Sequence, residues 1–151
     1  MKLINNKGFW RAVPENRKSW IQGDLWTLID FDKYNKKDIK NYYESIHDAS
    51  INNISVYPNT LCLYTNQNDI KNNKIFTSDI VIDENNDRYL VVPHYLTLDC
   101  EPCASFALVN SDKTISLKNK NKQLLITGNS IFNRKDAYEI TKNTNFEILF
   151  K

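Results

Sequence analysis

The sequence predicts a mainly β fold (a β-rich α+β class), in which short strands form an SH3-like or pseudo-barrel with one or two short helices. Three observations lead to this prediction. Short segments rich in β-branched and aromatic residues recur at close spacing along the chain. Polar segments rich in Asn, Asp and Ser separate them, as turns do. Only two segments are candidates for helices.

The strands follow one another along most of the chain. Their predicted positions are 9–13, a hairpin or bent strand over 19–31 with its bend at Gly23-Asp24, two strands within 53–65 around a Pro58-Asn59 turn, 74–82, 88–98, 104–109, 123–127 and 145–151. The segment "DENND" between the strands at 74–82 and 88–98 predicts a hairpin turn.

Two segments carry helical signals. Between residues 36 and 49, Ile39, Tyr42, Tyr43 and Ile46 recur at helical spacing, with Asp32 or Asn35 as a cap. Irregular structure is the alternative there, because Asn and Tyr are mediocre helix formers. The second candidate is residues 134–142, capped by Asn133.

Bulk properties limit the class of protein. The 151 residues, 41% of them hydrophobic, suit one domain, with two subdomains at about 1–62 and 63–151 as an option. A net charge of +2 is too small to indicate nucleic acid or an anionic membrane by itself. No apolar run approaches the ~20 residues of a membrane span, and the N-terminus lacks a signal-peptide core. Three cysteines fit a reducing compartment. These features predict a cytoplasmic protein.

The segment 64–81, "YTNQNDIKNNKIFTSDIV", is rich in asparagine and contains no glycine. Asparagine is the non-glycine residue that most readily adopts left-handed backbone angles, so Asn72-Asn73 predicts a tight turn. The polar corner at Ser78-Asp79 then leads into an apolar strand. We therefore interpret this segment as structural, a β-arch whose asparagines replace glycines, with a ligand-binding loop as the alternative.

The same segment resembles the signature of the YopX-like family of phage and prophage proteins. The matching residues are Tyr64, Thr65, Asp69, Ile75, Phe76, Asp79, Ile80 and Val81. Asn66, Asn73 and Ser78 stand where the family tends to have glycine, and a serine there is strained if φ is positive. "WIQGDL", "VYPNTLCLYT" and "ITGNSIFNRKDAYE" resemble further family segments in the same order, so Gly23, Gly128 and Asn129 also match.

The resemblance implies one YopX-like domain over residues 1–151, a mostly β fold, a phage or prophage origin and self-association into a homo-oligomer. It implies little chemistry, because the family as a whole has no established catalytic activity. The residues for which it implies a structural role, called the signature residues below, are Gly23, Tyr64, Thr65, Asp69, Phe76, Asp79, Gly128 and Asn129.

Metal and catalytic chemistry have weak signals. His94, Cys100 and Cys103 are candidate zinc ligands with Cys62 or His47, but a second closely spaced pair is missing, so we expect free thiols and no metal or cofactor. We interpret Asp83, Glu84 and Asp87 as a solvated acidic turn. No nucleophile elbow or P-loop occurs, which favours a protein that is not an enzyme.

Two basic stretches are candidate contacts for nucleic acid or a partner. One contains Lys36 and Lys37, and the other contains Lys118, Lys120 and Lys122. Solvated loops or helix faces have the same composition, and we favour that interpretation. Trp10, Trp20 and Trp26 either belong to the core or include an anchor for an oligomer interface.

The leading functional hypothesis is a small phage accessory protein of the bacterial cytoplasm that binds a host or phage macromolecule without catalysis. A host defence component such as a CRISPR effector is one candidate target. The alternatives are a nucleic-acid-binding protein and an oligomer that sequesters a small nucleotide.

Overall fold

The structure is a computed structural model, and it describes residues 1–16, 18–30, 44–93, 106–119 and 123–150. Several predictions fall outside these residues. They include the caps Asp32 and Asn35, the helix prediction over 36–43 and the last five residues of the strand predicted at 88–98. The chain forms two compact units, of which the first covers Met1–Leu63 and the second covers the described residues from 64 onward. The arrangement of two subdomains within one family domain stays a prediction.

The first unit is an antiparallel sheet with the strand order β4-β3-β2-β1-β5. Its strands are β1 (Lys2–Ala12), β2 (Ile21–Ile29), β3 (Ile46–Ile51), β4 (Ile54–Ser55) and the first two residues of β5 (Cys62–Asn68), and a 3₁₀ turn spans Pro58–Thr60. The sheet has one apolar face because residues alternate along each strand. Leu25, Thr27 and Ile29 of β2 are buried and face a core that includes Ile51 and Ala12.

The second unit contains a five-stranded antiparallel sheet with the order β10-β9-β8-β7-β11, and the end of β5 pairs with β6. The bounds are β6 (Lys74–Phe76), β7 (Asp79–Ile82), β8 (Arg88–Pro93), β9 (Phe106–Val109), β10 (Thr114–Ser116), β11 (Leu125–Asn129) and the helix α1 (Arg134–Thr141), with 3₁₀ turns at Leu117–Asn119 and Glu147–Leu149. The helix places Ala137 and Ile140 against Leu90 and Val109 of the sheet. Burial on this face explains the apolar composition of β8 and β9.

The prediction of a mainly β protein is confirmed. The predicted barrel is wrong: in the described ranges both sheets are open, and the five-stranded sheet runs from β10 to β11 without pairing between these two strands. The physical reason is that α1 covers the apolar face of this sheet, so the core is completed without closure.

Several local predictions are also corrected. Of the two alternatives predicted for residues 19–31, the structure shows one strand, β2, with Gly23 at a φ of 153°, and not the hairpin. Residues 46–49, predicted as the end of a helix, belong to β3, where Ile46 and Ala49 are buried by pairing with β2. The segment at 74–82 is divided into β6 and β7 by a turn at Thr77-Ser78. The closing segment contains a 3₁₀ turn and not a strand, and β10 was not predicted.

Asparagine does occupy the left-handed backbone positions. Seven described non-glycine residues have a positive φ, and six of them are asparagines: Asn52, Asn53, Asn66, Asn72, Asn86 and Asn143, with Ser78 as the seventh. In the 69–73 turn the left-handed residue is Asn72 (φ 64°), and Asn73 is not among the seven. The strain expected at Ser78 is present, because its φ is 73°.

Candidate functional site

Asp69 holds together the turn between β5 and β6. Its side chain is buried, with 6% of its surface exposed. One carboxylate oxygen, Oδ1, accepts hydrogen bonds from the backbone N–H groups of Lys71 (3.0 Å) and Asn73 (2.9 Å). The other, Oδ2, accepts from the N–H of Ile126 (3.1 Å) in β11. Both oxygens of this acid are therefore engaged in backbone hydrogen bonds within the second unit.

The second signature acid, Asp79, has a similar role at the corner between β6 and β7. It is 1% exposed, and its Oδ2 accepts from the N–H of Phe76 at 2.8 Å. Asp79 also pairs with Asn129 across β7 and β11. Thr65 donates its hydroxyl to the carbonyl of Ile75 at 2.8 Å, which fixes β5 beside β6.

Tyr64 completes this group of signature residues. Its hydroxyl donates to Asn68 Oδ1 at 2.6 Å, and its ring lies 5.6 Å from the ring of Phe76. Asn68 Nδ2 in turn donates to Asn72 Oδ1 at 2.9 Å. These contacts close the β5–β6 hairpin with side chains, so they stabilise the fold.

The two signature glycines lie where a side chain would collide. A Cβ atom at Gly128 would lie 2.7 Å from Asn133 Oδ1, and the same oxygen accepts from the N–H of Asn129 (3.1 Å). Asn133 is the N-cap residue of α1, as predicted, but its side chain makes this contact and no capping hydrogen bond. Gly23 has a φ of 153°, and its Cβ would lie 2.8 Å from Asn52 Oδ1. Neither glycine therefore tolerates alanine without movement.

Asn129 caps the turn that precedes α1. Its Oδ1 accepts from the N–H groups of Ile131 and Phe132, both at 3.0 Å. Four signature residues, Asp69, Asp79, Gly128 and Asn129, thus contact or lie in β11. This strand brings together segments that the sequence separates by more than fifty residues.

The acidic "DENND" hairpin differs from the prediction of a solvated turn. Glu84 is exposed, but Asp83 is buried and accepts the hydroxyl of the buried Tyr89 at 3.2 Å. Asp83 Oδ1 also accepts from the backbone N–H groups of Asn85 (2.9 Å) and Asp87 (3.0 Å). Asp83 therefore organises the turn and is itself buried in the packed structure.

Tyr89 and Lys113 form a coupled pair at this end of the sheet. Burial is the main cause that raises the pKa of the Tyr89 hydroxyl above its ordinary 10.0. The hydrogen bond with Tyr89 raises the pKa of the Lys113 ammonium above 10.5, and Asp87, whose Oδ2 lies 3.5 Å from Nζ, adds to this rise. At neutral pH the phenol is therefore protonated and the ammonium charged, a combination that suits structure better than acid–base catalysis.

Only some of the predicted metal-binding and basic residues lie in the part of the chain that the structure describes. His94, Cys100, Cys103, Lys36, Lys37, Lys120 and Lys122 lie outside the described residues. Lys118 is exposed in the 3₁₀ turn, and Cys62 is buried, with its thiol donating to the carbonyl oxygen of Thr60 at 3.4 Å. Within the described ranges no group of three or more His, Cys, Asp or Glu side chains is placed to hold a metal ion.

The face of the first sheet opposite its core carries exposed apolar side chains. We define the outer face by the residues that alternation places there, which are Leu3, Asn5 and Arg11 on β1, Gln22, Asp24, Trp26 and Leu28 on β2, and Asp48 and Ser50 on β3. Leu3 is 62% exposed and Trp26 is 41% exposed. Leu3 lies directly opposite Leu28, and Trp26 lies two residues before Leu28 on the same face of β2, so the three side chains form one stripe.

The tryptophans illustrate what sequence reasoning missed. Trp10 packs against the core of the first unit, and Trp20 stacks with Arg11, whose guanidinium carbon lies 4.4 Å from the ring centroid. Trp26 is the one of the three that is exposed. The sequence shows that Trp26 alternates with Leu25 and shares one face of the strand with Leu28. The contribution of Leu3 was not visible in the sequence, because β1 was predicted to begin at residue 9.

No helix in the described part of the chain is long and apolar enough to cross a membrane.

Comparison with known protein families identifies the family of this chain. The family model described as YopX protein matches residues 9–134, which is most of the chain. No curated protein matches the chain significantly. The matched range contains all eight signature residues, which the structure places at turns, strand pairs and the core. The chain therefore belongs to the YopX family.

Proposed function

We propose that this protein is a phage- or prophage-type accessory protein that binds a macromolecule in the bacterial cytoplasm and performs no catalysis. The observation that carries the proposal is the outer face of the first unit, where the exposed Leu3 and Trp26 and the half-buried Leu28 form an apolar stripe. Large apolar side chains at the surface cost solubility, and Trp in particular concentrates binding energy at protein interfaces. The target we favour is a protein, with a host defence component as one candidate class.

The buried polar groups support the same proposal. The carboxylates of Asp69, Asp79 and Asp83 accept backbone N–H groups in turns, and the hydroxyl of Tyr89 is directed to Asp83. Groups committed to backbone hydrogen bonds serve the fold. The side chains that can contact a partner are therefore the exposed ones, such as Leu3 and Trp26.

The experiment compares proteins captured from host lysate by the wild type and by two variants. Trp26→Glu places a charge in the stripe, and Ile70→Glu is the matched control, because Ile70 is an exposed apolar residue (59%) of the second unit. We expect quantitative mass spectrometry to find at least one protein that is retained by the wild type and by Ile70→Glu but lost with Trp26→Glu. Circular dichroism checks that both variants are folded.

Equal recovery of every captured protein by the three forms would remove the outer face as the binding surface. An absence of specific capture at moderate salt, repeated in several host lysates, would contradict the binding function itself. Sedimentation velocity on the same samples tests self-association into a homo-oligomer.

A further inference from the structure

We infer that the outer face binds a protein segment in which a lysine or arginine flanks large apolar side chains. This inference rests on the proposed binding function and adds the chemistry of the partner. It follows from the position of two aspartates relative to the apolar stripe.

The stripe is bracketed by carboxylates. Asp48 lies directly opposite Leu28 on β3, and Asp24 lies two residues before Trp26 on the same face of β2. The side chain of Asp48 is 77% exposed, and Asp24 is exposed. Successive side chains on one face of a strand are about 7 Å apart, so the acids lie within one side-chain length of the stripe. A partner that covers Leu3, Trp26 and Leu28 therefore meets a carboxylate on two sides of the stripe, and beyond Asp24 it meets Arg11, which lies opposite Gln22 on the same face.

The nearby imidazole does not remove this charge. His47 Nε2 lies 3.8 Å from Asp48 Oδ2, but both side chains are more than half exposed (55% and 77%). Water screens such a pair, and ion pairs of this kind contribute little. Asp48 thus remains available to a cation supplied by a partner.

A cationic group also suits the exposed ring. The face of an indole attracts ammonium and guanidinium groups, and Arg stacks on Trp particularly well. Arg11 and Trp20 of the same unit already form such a contact, at 4.4 Å. Trp26 between two carboxylates combines an apolar surface, a π face and negative charge, and a basic apolar segment is complementary to all three.

A second copy of this chain is a poorer occupant. In a symmetric dimer both copies contribute the same patch, so each would bring Asp24 and Asp48 to the interface, and the stripe itself would supply no cation to neutralise them. Self-association, if it occurs, should use a different surface.

The test selects ligands from a random dodecapeptide library on the immobilised full-length protein. We expect the enriched peptides to combine at least one Lys or Arg with a large apolar or aromatic residue. Affinities of the enriched peptides are then measured for the wild type, Trp26→Ala and the pair Asp24→Lys/Asp48→Lys. Phe132→Ala and Asp112→Lys are the matched controls, since Phe132 is 56% exposed and Asp112 is exposed, both in the second unit.

The expected losses differ in size. Trp26→Ala should weaken binding by at least about 30-fold, the loss typical of an aromatic anchor. The double charge reversal should weaken it by about tenfold, and it should also remove the decrease of affinity with added salt. Both controls should stay within about twofold of the wild type. Circular dichroism and the urea midpoint confirm that each variant is folded.

Three results would overturn the inference, and they can be told apart. Trp26-dependent peptides that are neutral or acidic would refute the partner chemistry while leaving the proposed binding function intact. A dimer that Trp26→Ala dissociates in sedimentation would assign the face to a second copy. Failure to enrich any peptide, together with no specific capture from lysate, would refute both proposals.

Discussion

Replacing Asp69 by alanine should show how much of the stability of the second unit depends on a signature acid. The substitution removes the acceptors of three backbone N–H groups, those of Lys71, Asn73 and Ile126. A hydrogen bond to a charged group contributes about 1.5–3 kcal/mol, and a buried donor left unpaired costs a similar amount. Lys71 and Asn73 are exposed, so water replaces part of their loss. We expect a net decrease of about 3 kcal/mol in the free energy of unfolding.

The assay is urea denaturation followed by tryptophan fluorescence and circular dichroism. Asp69→Asn keeps one carbonyl oxygen, so it can satisfy the turn but presents an N–H₂ group elsewhere, and it should lose about half as much stability as alanine. Asp112→Ala is the control, because Asp112 is an exposed carboxylate in the same unit. Its effect should stay within about 0.5 kcal/mol.

Two results would refute this reasoning. If Asp69→Ala changed the free energy of unfolding no more than Asp112→Ala does, water would satisfy all three N–H groups, and the acid would be dispensable for the fold. If Asp69→Asn were as stable as the wild type, the negative charge and the second oxygen would contribute nothing.

Three further predictions concern backbone strain and burial. Gly23→Ala should lower the free energy of unfolding by about 2 kcal/mol, because φ is 153° and the new Cβ would lie 2.8 Å from Asn52 Oδ1. Adding Asn52→Ala should restore part of this loss in thermal melts. A melting temperature of Gly23→Ala equal to that of the wild type would contradict the predicted strain. Ser78→Gly should raise the free energy of unfolding by about 0.5–1 kcal/mol. Glycine adopts a φ of 73° without strain, and the strain removed is larger than the entropy that glycine loses on folding. A lower urea midpoint would contradict this prediction. Because the pKa of Tyr89 is raised in the folded state, its contribution to the free energy of unfolding is fully present below its ordinary pKa of 10.0 and is lost as the pH rises through the folded-state pKa. The raised pKa of Lys113 makes stability depend on pH in the same direction. Tyr89→Phe should therefore reduce the loss of melting temperature above about pH 10, and an identical alkaline decline in both proteins would exclude this group as a cause.

Local sequence patterns predicted most strands and turns, and long-range pairing decided where they failed. The "DENND" hairpin, the 3₁₀ turn after Tyr57 and the helix at Arg134–Thr141 depend on residues close in sequence, and each occurs as expected. Ile46 and Ala49 have helical spacing with their neighbours, but pairing of this segment with β2 places both in the core as strand residues. Propensity is a weak constraint where a sheet supplies a paired edge.

The candidate site was less accessible to sequence reasoning for a related reason. Alternation puts Trp26 and Leu28 on one face and Leu25 and Ile29 on the other, but both sets are apolar. Only the neighbouring strands decide which face is inside, since Ile51 of β3 packs with Leu25. The same holds for Asp83, whose burial depends on Tyr89 across the hairpin. Single-strand patterns do not contain this information.

The position of β11 has a consequence for the order in which the protein folds. In the first unit β1, β2 and β3 each pair with the next strand in the chain, and such contacts form early because they are closer in sequence. The Asp69 carboxylate instead accepts a hydrogen bond from the N–H of Ile126, which lies 57 residues later in the chain, so this bond can form only after that residue has been synthesised. During synthesis the second unit therefore keeps an unfinished sheet edge at β7 until β11 has left the ribosome. Chains that end before residue 125 should aggregate. In the first unit β1 pairs with β5, from Trp10 to Leu63, so that sheet is complete once β5 has emerged, which is earlier than β11.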